Sequence, residues 1–396
     1  MKNALLFVFV LFVFACQKKN GSETPADLKT TIDQSLDRAV DQYIAMDKTV
    51  PDTLMPRSTN PDGSLMTNEI WWWTSGFFPG SLWYLYEYSA NDIVLQLARK
   101  RTHAIEGEQW NTNDHDIGFK MFCSYGNGLR IMKDSSYVSI LMNSANSLTK
   151  LFKPEVGLIR SWGSVEGQDD YLVIVDNMMN LELLFWATKY SGDSTFYNIA
   201  VSHADSTMKN HYREDGSSWH VVDYNPLTGD ITTKKTAQGY ADNSAWARGQ
   251  AWGLYGYVLC YRETNQQKYL DHAIKIADFL VGHPNLPEDK IPYWDFNAPD
   301  IPDALRDASA GAIISSALIE LSEYVEGNKG NKYLDVAKQI VTSLSSEKYR
   351  AGLGQNNNFL LMHSVGHRPQ NNEVDVPLSY TDYYYIEAMM RLREGL

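Results

Sequence analysis

Apolar and polar residues follow helical periodicity from Asp27 to the C-terminus, and period-two alternation is convincing only near 218–233. About twelve helical segments result, and they are of two kinds. One kind is amphipathic, with stripes such as Ile32, Leu36, Val40, Tyr43 and Ile44; it covers roughly 26–47, 92–108, 135–152, 194–211, 267–282 and 331–347. The other is apolar nearly all round and rich in small residues, over roughly 76–89, 117–132, 176–190, 244–262, 307–325 and 380–393. The two kinds alternate strictly. A helix apolar on every side must be surrounded, so the pattern predicts six inner helices inside six outer ones. That is an all-α (α/α)6 barrel of six helical hairpins, with a small β-hairpin inserted near 218–233. An open solenoid of hairpins competes with it, but no fixed-period repeat supports a solenoid.

Parallel inner helices would bring their N-termini to one face. The segments leading into them are Trp73-Thr74-Ser75-Gly76-Phe77, His115-Asp116-Ile117-Gly118-Phe119, Asp176-Asn177, Trp246-Ala247-Arg248-Gly249-Gln250-Ala251-Trp252, Arg306-Asp307 and Tyr380-Thr381-Asp382. All carry polar or aromatic groups suited to a site, and helix N-termini favour anions, so a carboxylate-bearing ligand fits there.

Asp176 stands out, because Val175-Asp176-Asn177-Met178-Met179-Asn180 runs into the apolar Leu181-Glu182-Leu183-Leu184-Phe185-Trp186-Ala187. Desolvation there raises a carboxyl pKa and keeps it available as a general acid. The commoner use of such an aspartate is as a helix N-cap. Asp116 heads the preceding inner helix; if the two carboxylates lie close, repulsion pushes one pKa up, and if not, each is a cap. His115 beside it reads on its own as a hydrogen-bonded structural histidine. Arg248 lies in an apolar helix start between Trp246 and Trp252, so it needs either a protein carboxylate or an anionic ligand. The hairpin near 218–233 leads through Gln238-Gly239-Tyr240 towards Arg248, which brings His220 and Gln238 to the same face. Trp162, in Arg160-Ser161-Trp162-Gly163, precedes the Asp176 helix.

Composition narrows the ligand. The 396 residues include 11 Trp and 24 Tyr, which serve core packing or a cleft that stacks on sugar rings. A formal charge of −13 argues against nucleic-acid binding. No His/Cys cluster, Gly-rich phosphate loop or Gly-x-Ser-x-Gly elbow is present, so neither a metal nor a nucleotide cofactor is expected. Cys123 and Cys260 are far apart in sequence and show no ligand spacing.

The first residues have a separate meaning. Met1-Lys2-Asn3 and the apolar run Ala4 to Ala15 are too short for a comfortable membrane span. Residues 1–16 therefore read as a signal peptide whose Ala15-Cys16 resembles a bacterial lipobox; a plain signal is the alternative. Residues 17–25 read as a polar tether and 26–396 as one catalytic domain. The expected location is the bacterial cell envelope, periplasmic or outer-membrane, with membrane attachment only through a lipid on Cys16.

Taken together, Trp73-x-x-Gly76-Phe77, His115-Asp116-x-Gly118-Phe119, Asp176-Asn177-Met178-Met179-Asn180, Gln238-Gly239, Trp246-Ala247-Arg248-Gly249-Gln250-Ala251-Trp252 and Asp375-x-Pro377-Leu378-x-Tyr380-x-Asp382-Tyr383-Tyr384 resemble glycoside hydrolase family 88, the unsaturated glucuronyl hydrolases. The resemblance runs from about residue 30 to 393. It implies an (α/α)6 barrel and removal of a 4,5-unsaturated uronic acid from oligosaccharides that an upstream polysaccharide lyase has made. It further implies that Asp176 protonates C4 of a vinyl ether and takes a proton from water adding at C5, with Asp116 tuning it. By the same match His115, His220, Gln238, Arg248 and Trp252 hold the unsaturated uronate, and Trp73, Phe77 and Trp162 offer stacking surfaces. The loop His363-Ser364-Val365-Gly366-His367-Arg368-Pro369 would border the adjoining sugar, with Ser364, His367 and Arg368 as donors. We expect Arg248 and the helix N-termini to share the substrate carboxylate. The rival readings are an unsaturated rhamnogalacturonyl hydrolase, a lyase on the same barrel, and a lipoprotein that only binds glycans.

Overall fold

The computed structural model describes residues 25–162 and 170–395. The expected signal and lipobox, the expected 17–25 tether apart from Pro25, which begins a helix, and Gly163 after Trp162 lie outside the described residues.

Among the described residues, twelve α-helices form the frame. The outer ones are α1 (Pro25–Asp47), α3 (Asp92–Ala104), α5 (Ser136–Thr149), α7 (Ser194–His211), α9 (Gln267–Gly282) and α11 (Gly327–Leu344). The inner ones are α2 (Phe77–Ser89), α4 (Asn127–Met132), α6 (Leu181–Ser191), α8 (Ala247–Thr264), α10 (Ala308–Tyr324) and α12 (Ser379–Glu394). A π-helical turn, Gly118–Gly126, leads into α4, and a 3-10 turn, Val175–Asn180, leads into α6. Burial separates the classes as the pattern predicts: α8 is buried without a break from Ala247 to Cys260, whereas α11 buries one stripe, Tyr333, Val336, Ala337, Ile340, Val341 and Leu344. Because α12 packs on α2 as well as on α10, the inner ring closes, and the structure is an (α/α)6 barrel rather than an open solenoid.

Close backbone approach inside the ring rests on two glycines. A Cβ on Gly76 would sit 2.3 Å from the carbonyl oxygens of Phe119 and Lys120, and one on Gly118 would sit 2.6 Å from Asn180 Cα. Neither position has room for a side chain, which fixes how α2, the π-turn and the Asp176 turn meet.

The two ends of the barrel differ. The first five inner helices are each joined to the next outer helix by a tight turn, with one left-handed residue at each junction: Ala90, Lys133, Gly192, Asn265 and, as the first residue of α11, Gly327. The return connections are long and carry every strand among the described residues. These are the hairpin β1 (Leu54–Thr59) and β2 (Leu65–Glu69), the pair β3 (Phe152–Lys153) and β4 (Leu158–Ile159), a sheet of β5 (Tyr171–Ile174), β6 (Val221–Tyr224) and β7 (Ile231–Lys235), and the hairpin β8 (Ser364–His367) and β9 (Asn372–Val376). The expected hairpin near 218–233 is β6–β7. It gains a third antiparallel strand, β5, with Tyr171 opposite Tyr224 and Ile174 opposite Val221. Among the described residues, the strands and long loops thus gather at the N-terminal end of the inner ring, where loops on a rigid scaffold carry function.

Candidate active site

A pocket of about 180 Å³ opens at that end, lined by Trp73, His115, Asp116, Phe119, Trp162, Ile174, Asp176, Gln238 and Arg248. Seven of these nine are candidates from the sequence.

Asp176 is set by its neighbours rather than by a cap. The Val175 amide donates to the His220 carbonyl (3.0 Å), the Ile174 amide to Ser161 Oγ (2.9 Å), and Asn177 Nδ2 to the Ile159 carbonyl (2.9 Å). Asp176 caps neither the 3-10 turn nor α6, and its Oδ2 is buried without a hydrogen-bond partner. Burial pushes its pKa up to about 7, further raised by the charge of Asp116 and opposed by Arg248 and His115. Asn177 is the anchoring member of the Asp-Asn pair.

Asp116 is likewise no cap. Its pKa is pushed up to about 6, chiefly by burial and then by Asp114, while His115 and Lys120 pull it down. The His115 amide donates to the Ser161 carbonyl at 2.9 Å, and its Nε2 lies 3.6 Å from Asp116 Oδ1. Two protonatable carboxylates therefore share one small chamber, held on adjacent inner-helix starts by the loop at Ser161.

His220, the residue before β6, packs on Trp246 with centroids 4.3 Å apart and ring planes tilted by 36°. Its Nδ1 accepts from the Ala237 and Gln238 amides at 3.2 and 3.4 Å, which leaves the proton on Nε2, 3.6 Å from Asp176 Oδ2. Burial and then the Arg248 charge hold its pKa well below the ordinary value, so the ring is neutral.

Arg248 has the protein partner that was one of its two readings. Its guanidinium donates to the Val365 and Gly366 carbonyls (2.6 Å to Gly366) and lies 3.4 Å from Asp307 Oδ2. Gln238 Nε2 joins at the same Gly366 carbonyl, 3.0 Å away. Both terminal nitrogens of Arg248 are committed to the protein, so it first holds the β8 loop against the pocket. The guanidinium is therefore not held free for a substrate carboxylate alone, although it also lines the pocket.

Three expectations need correction. Phe77 is fully buried, 5.9 Å from Trp73 and 5.3 Å from Phe119 between ring centroids; it backs the pocket wall and offers no stacking face. Trp252 is fully buried against Phe119 and Tyr384 and does not reach the pocket. Ser364 is buried with its Oγ 2.9 Å from Thr381 Oγ1, tying the loop to α12 instead of facing a sugar. His367 is half-buried and Arg368 exposed, just past the Gly366 carbonyl held by Gln238 and Arg248. Trp73 and Trp162 do line the pocket, and Trp162 is 42% exposed.

Sequence reasoning missed Lys120. This lysine is fully buried, and its Nζ donates to Glu108 (2.9 Å), to Asp114 (3.3 Å) and to the Trp71 carbonyl (3.2 Å). Asp114 in turn accepts from the Asp116 amide at 2.9 Å. A lone charge in the apolar run Gly118-Phe119-Lys120-Met121-Phe122 was the available signal.

A closed (α/α)6 barrel with a pair of raised-pKa carboxylates in an aromatic-walled pocket at the inner-helix N-termini defines a carbohydrate-active enzyme. No protein-family model matches the chain. An unsaturated glucuronyl hydrolase of Formosa agariphila is 47% identical over 320 residues, covering 81% of this chain and 79% of that protein. This chain belongs to the unsaturated glucuronyl hydrolases. A crystal structure of an unsaturated glucuronyl hydrolase specific for heparin superposes with a TM-score of 0.90 at 44% identity, covering 93% of this chain and 98% of that one. That of the Bacillus sp. GL1 enzyme, responsible for the degradation of glycosaminoglycan, gives 0.87 at 29% identity over 92% and 97% of the two chains.

Proposed function

We propose that this chain hydrates the C4=C5 vinyl ether of an unsaturated uronic acid at the non-reducing end of glycosaminoglycan fragments, with Asp176 as acid and base. One observation carries the assignment: Asp176 has a buried, unpartnered Oδ2 and a pKa of about 7, so both protonation states are populated near neutrality. Protonated Asp176 gives its proton to C4, and water adds at C5 while the new carboxylate takes a proton from it. The C5 hemiketal then opens, the ring oxygen becomes a hydroxyl on C1, and the C1 hemiacetal releases the remaining saccharide. No bond forms between sugar and protein, so the carboxylate separation does not set an anomeric outcome.

The other roles extend this reading. Ionised Asp116 raises the Asp176 pKa and accepts from sugar hydroxyls, His220 Nε2 and Gln238 donate to the uronate, and Trp73 and Trp162 flank the ring. His367 and Arg368 face the next sugar. The 44% identical heparin-specific relative supports heparin-derived disaccharides as first substrates. The double bond is the product of an elimination, so a polysaccharide lyase must act first. The Lys2-to-Cys16 pattern supports export and attachment at Cys16, which mass spectrometry of the mature N-terminus tests.

The decisive experiment follows the ultraviolet absorbance of the conjugated bond in unsaturated heparin, chondroitin and hyaluronan disaccharides. Absorbance should fall with the wild-type chain and stay constant with Asp176→Asn. Turnover of unsaturated rhamnogalacturonan alone would shift the substrate class to pectin, and turnover by Asp176→Asn would reject the acid assignment.

A further inference from the structure

Among the described residues, the exposed tryptophans are Trp71 (56%), Trp110 (63%) and Trp162 (42%). Such rings leave much apolar area in water, yet these three are not scattered. Trp71 is held by its carbonyl to the buried Lys120 ammonium, Trp110 follows two residues after Glu108, the lysine's nearest carboxylate, and Trp162 bridges Asp114, its second. One fully buried cation therefore fixes the backbone beneath all three.

Only Trp162 belongs to the pocket already described. Trp71 instead lines a separate hollow of about 320 Å³, with Trp72, Arg57, Asn68 and Glu69. The hollow lies between the β1–β2 hairpin and the segment Trp71-Trp72-Trp73, and Trp73 at the end of that segment forms a wall of the pocket. Trp72 is clamped: the Arg57 guanidinium lies 4.2 Å from its ring centroid, and Trp71 meets it edge-on at 5.7 Å. Arg57 is itself bound through two nitrogens to Glu373 at 2.8 and 3.0 Å, so its charge is already taken. Asn68 is buried with both amide atoms taken, its Nδ2 donating to the Glu69 carbonyl (2.8 Å) and its Oδ1 accepting from Thr74 (3.3 Å). The hollow therefore presents the exposed Trp71 indole, braced by Trp72, beside the carboxylate of Glu69, and its cation is neutralised.

The pocket of about 180 Å³ lies well below the roughly 300–1,000 Å³ of sites that enclose drug-sized ligands, so it takes one ring and the rest of a longer chain must leave it. We propose that the Trp71 hollow is a distal saccharide subsite, which takes a pyranose ring further along an oligosaccharide whose unsaturated end sits in the Asp176 pocket. Recognition is by the C–H face of the ring on the Trp71 indole and a hydroxyl bond to Glu69, without an ion pair to sulfate or carboxylate. The site makes the enzyme favour longer lyase products over disaccharides. The inference rests on the pocket holding the unsaturated end, as proposed above.

The test measures binding by calorimetry to the full-length Asp176→Asn protein, using unsaturated disaccharide and tetrasaccharide from the same polymer, so that it does not depend on turnover. The tetrasaccharide should bind about tenfold more tightly. That ratio should fall to about one in Asp176→Asn/Trp71→Ala and recover in part in Asp176→Asn/Trp71→Phe. It should also persist at high salt, because a stacked ring is not screened as an ion pair is. Equal affinity for the two lengths, a ratio untouched by Trp71→Ala, or a ratio lost in salt would each overturn the subsite. Absence of turnover in the wild type with the length ratio intact would instead strike the hydrolytic reading alone.

Discussion

His220 Nε2 faces Asp176 Oδ2 across 3.6 Å, with its other nitrogen turned to two backbone amides. That separation exceeds a hydrogen bond, and catalytic contacts commonly tighten only around substrate. The histidine is thereby fixed as a neutral donor aimed at the acid. Its imidazole nitrogen shifts should stay those of the Nε2–H tautomer as pH crosses about 6.5, where an ordinary histidine titrates. His220→Ala should lower kcat/KM about 100-fold, the size of effect that follows loss of one preorganised hydrogen-bond donor in a site of this kind. A titrating ring or an unimpaired alanine variant would remove His220 from the chemistry.

The two carboxylates set the pH range. Asp116 must be ionised to raise its neighbour's pKa, which requires a pH above about 6, and Asp176 must be protonated to attack C4, which requires a pH below about 7. A bell-shaped kcat/KM profile with limbs near those values is expected, reported by the pair as a unit. A profile flat from pH 5 to 9 would contradict it.

Asp116→Asn separates the contributions. The Asp116 charge raises the Asp176 pKa, so removing it lowers that pKa and moves the alkaline limb of the surviving activity to lower pH. Movement to higher pH would show that the carboxylates do not interact as described.

Arg248→Met acts in the opposite sense. Arg248 holds the Asp176 pKa down, so its loss moves the alkaline limb to higher pH. It also leaves Asp307 buried without its cation, which costs about 3–5 kcal/mol and should appear as a lower thermal midpoint. Arg248→Lys should keep much of the electrostatic effect but lose the two-carbonyl fork at Val365 and Gly366.

Lys120→Met leaves Glu108 and Asp114 without their shared ammonium, again a loss of about 3–5 kcal/mol in stability. Because Lys120 holds the Asp116 pKa down, the acid limb should move to higher pH. Loss of stability without that movement would confine the lysine to a structural role.

The barrel was legible because inner and outer helices differ in kind. The continuous burial of Ala247 to Cys260 in α8 and the single stripe of α11 are opposite patterns in the sequence itself. What the pattern did not contain was direction. Asp176 reads equally as a cap or an acid until its side chain is seen to cap nothing, and the aromatic motifs do not separate Trp73, which walls the pocket, from Phe77 and Trp252 beneath it. Strand β5 was missed because Tyr171–Ile174 is buried at three of four positions and shows no alternation. The Arg248 contacts were illegible for another reason: Val365 and Gly366 are recruited through backbone carbonyls, and any sequence there supplies those.

The outer helices run opposite to the inner ones, so α1 begins at the end of the barrel where the tight left-handed turns lie, and α12 finishes there too. Whatever is joined to the chain ahead of Pro25 therefore leaves from the blunt end, a full helix length from the carboxylates. The pocket therefore opens on the barrel face opposite the one at which the described chain begins, and the first helix does not crowd its mouth.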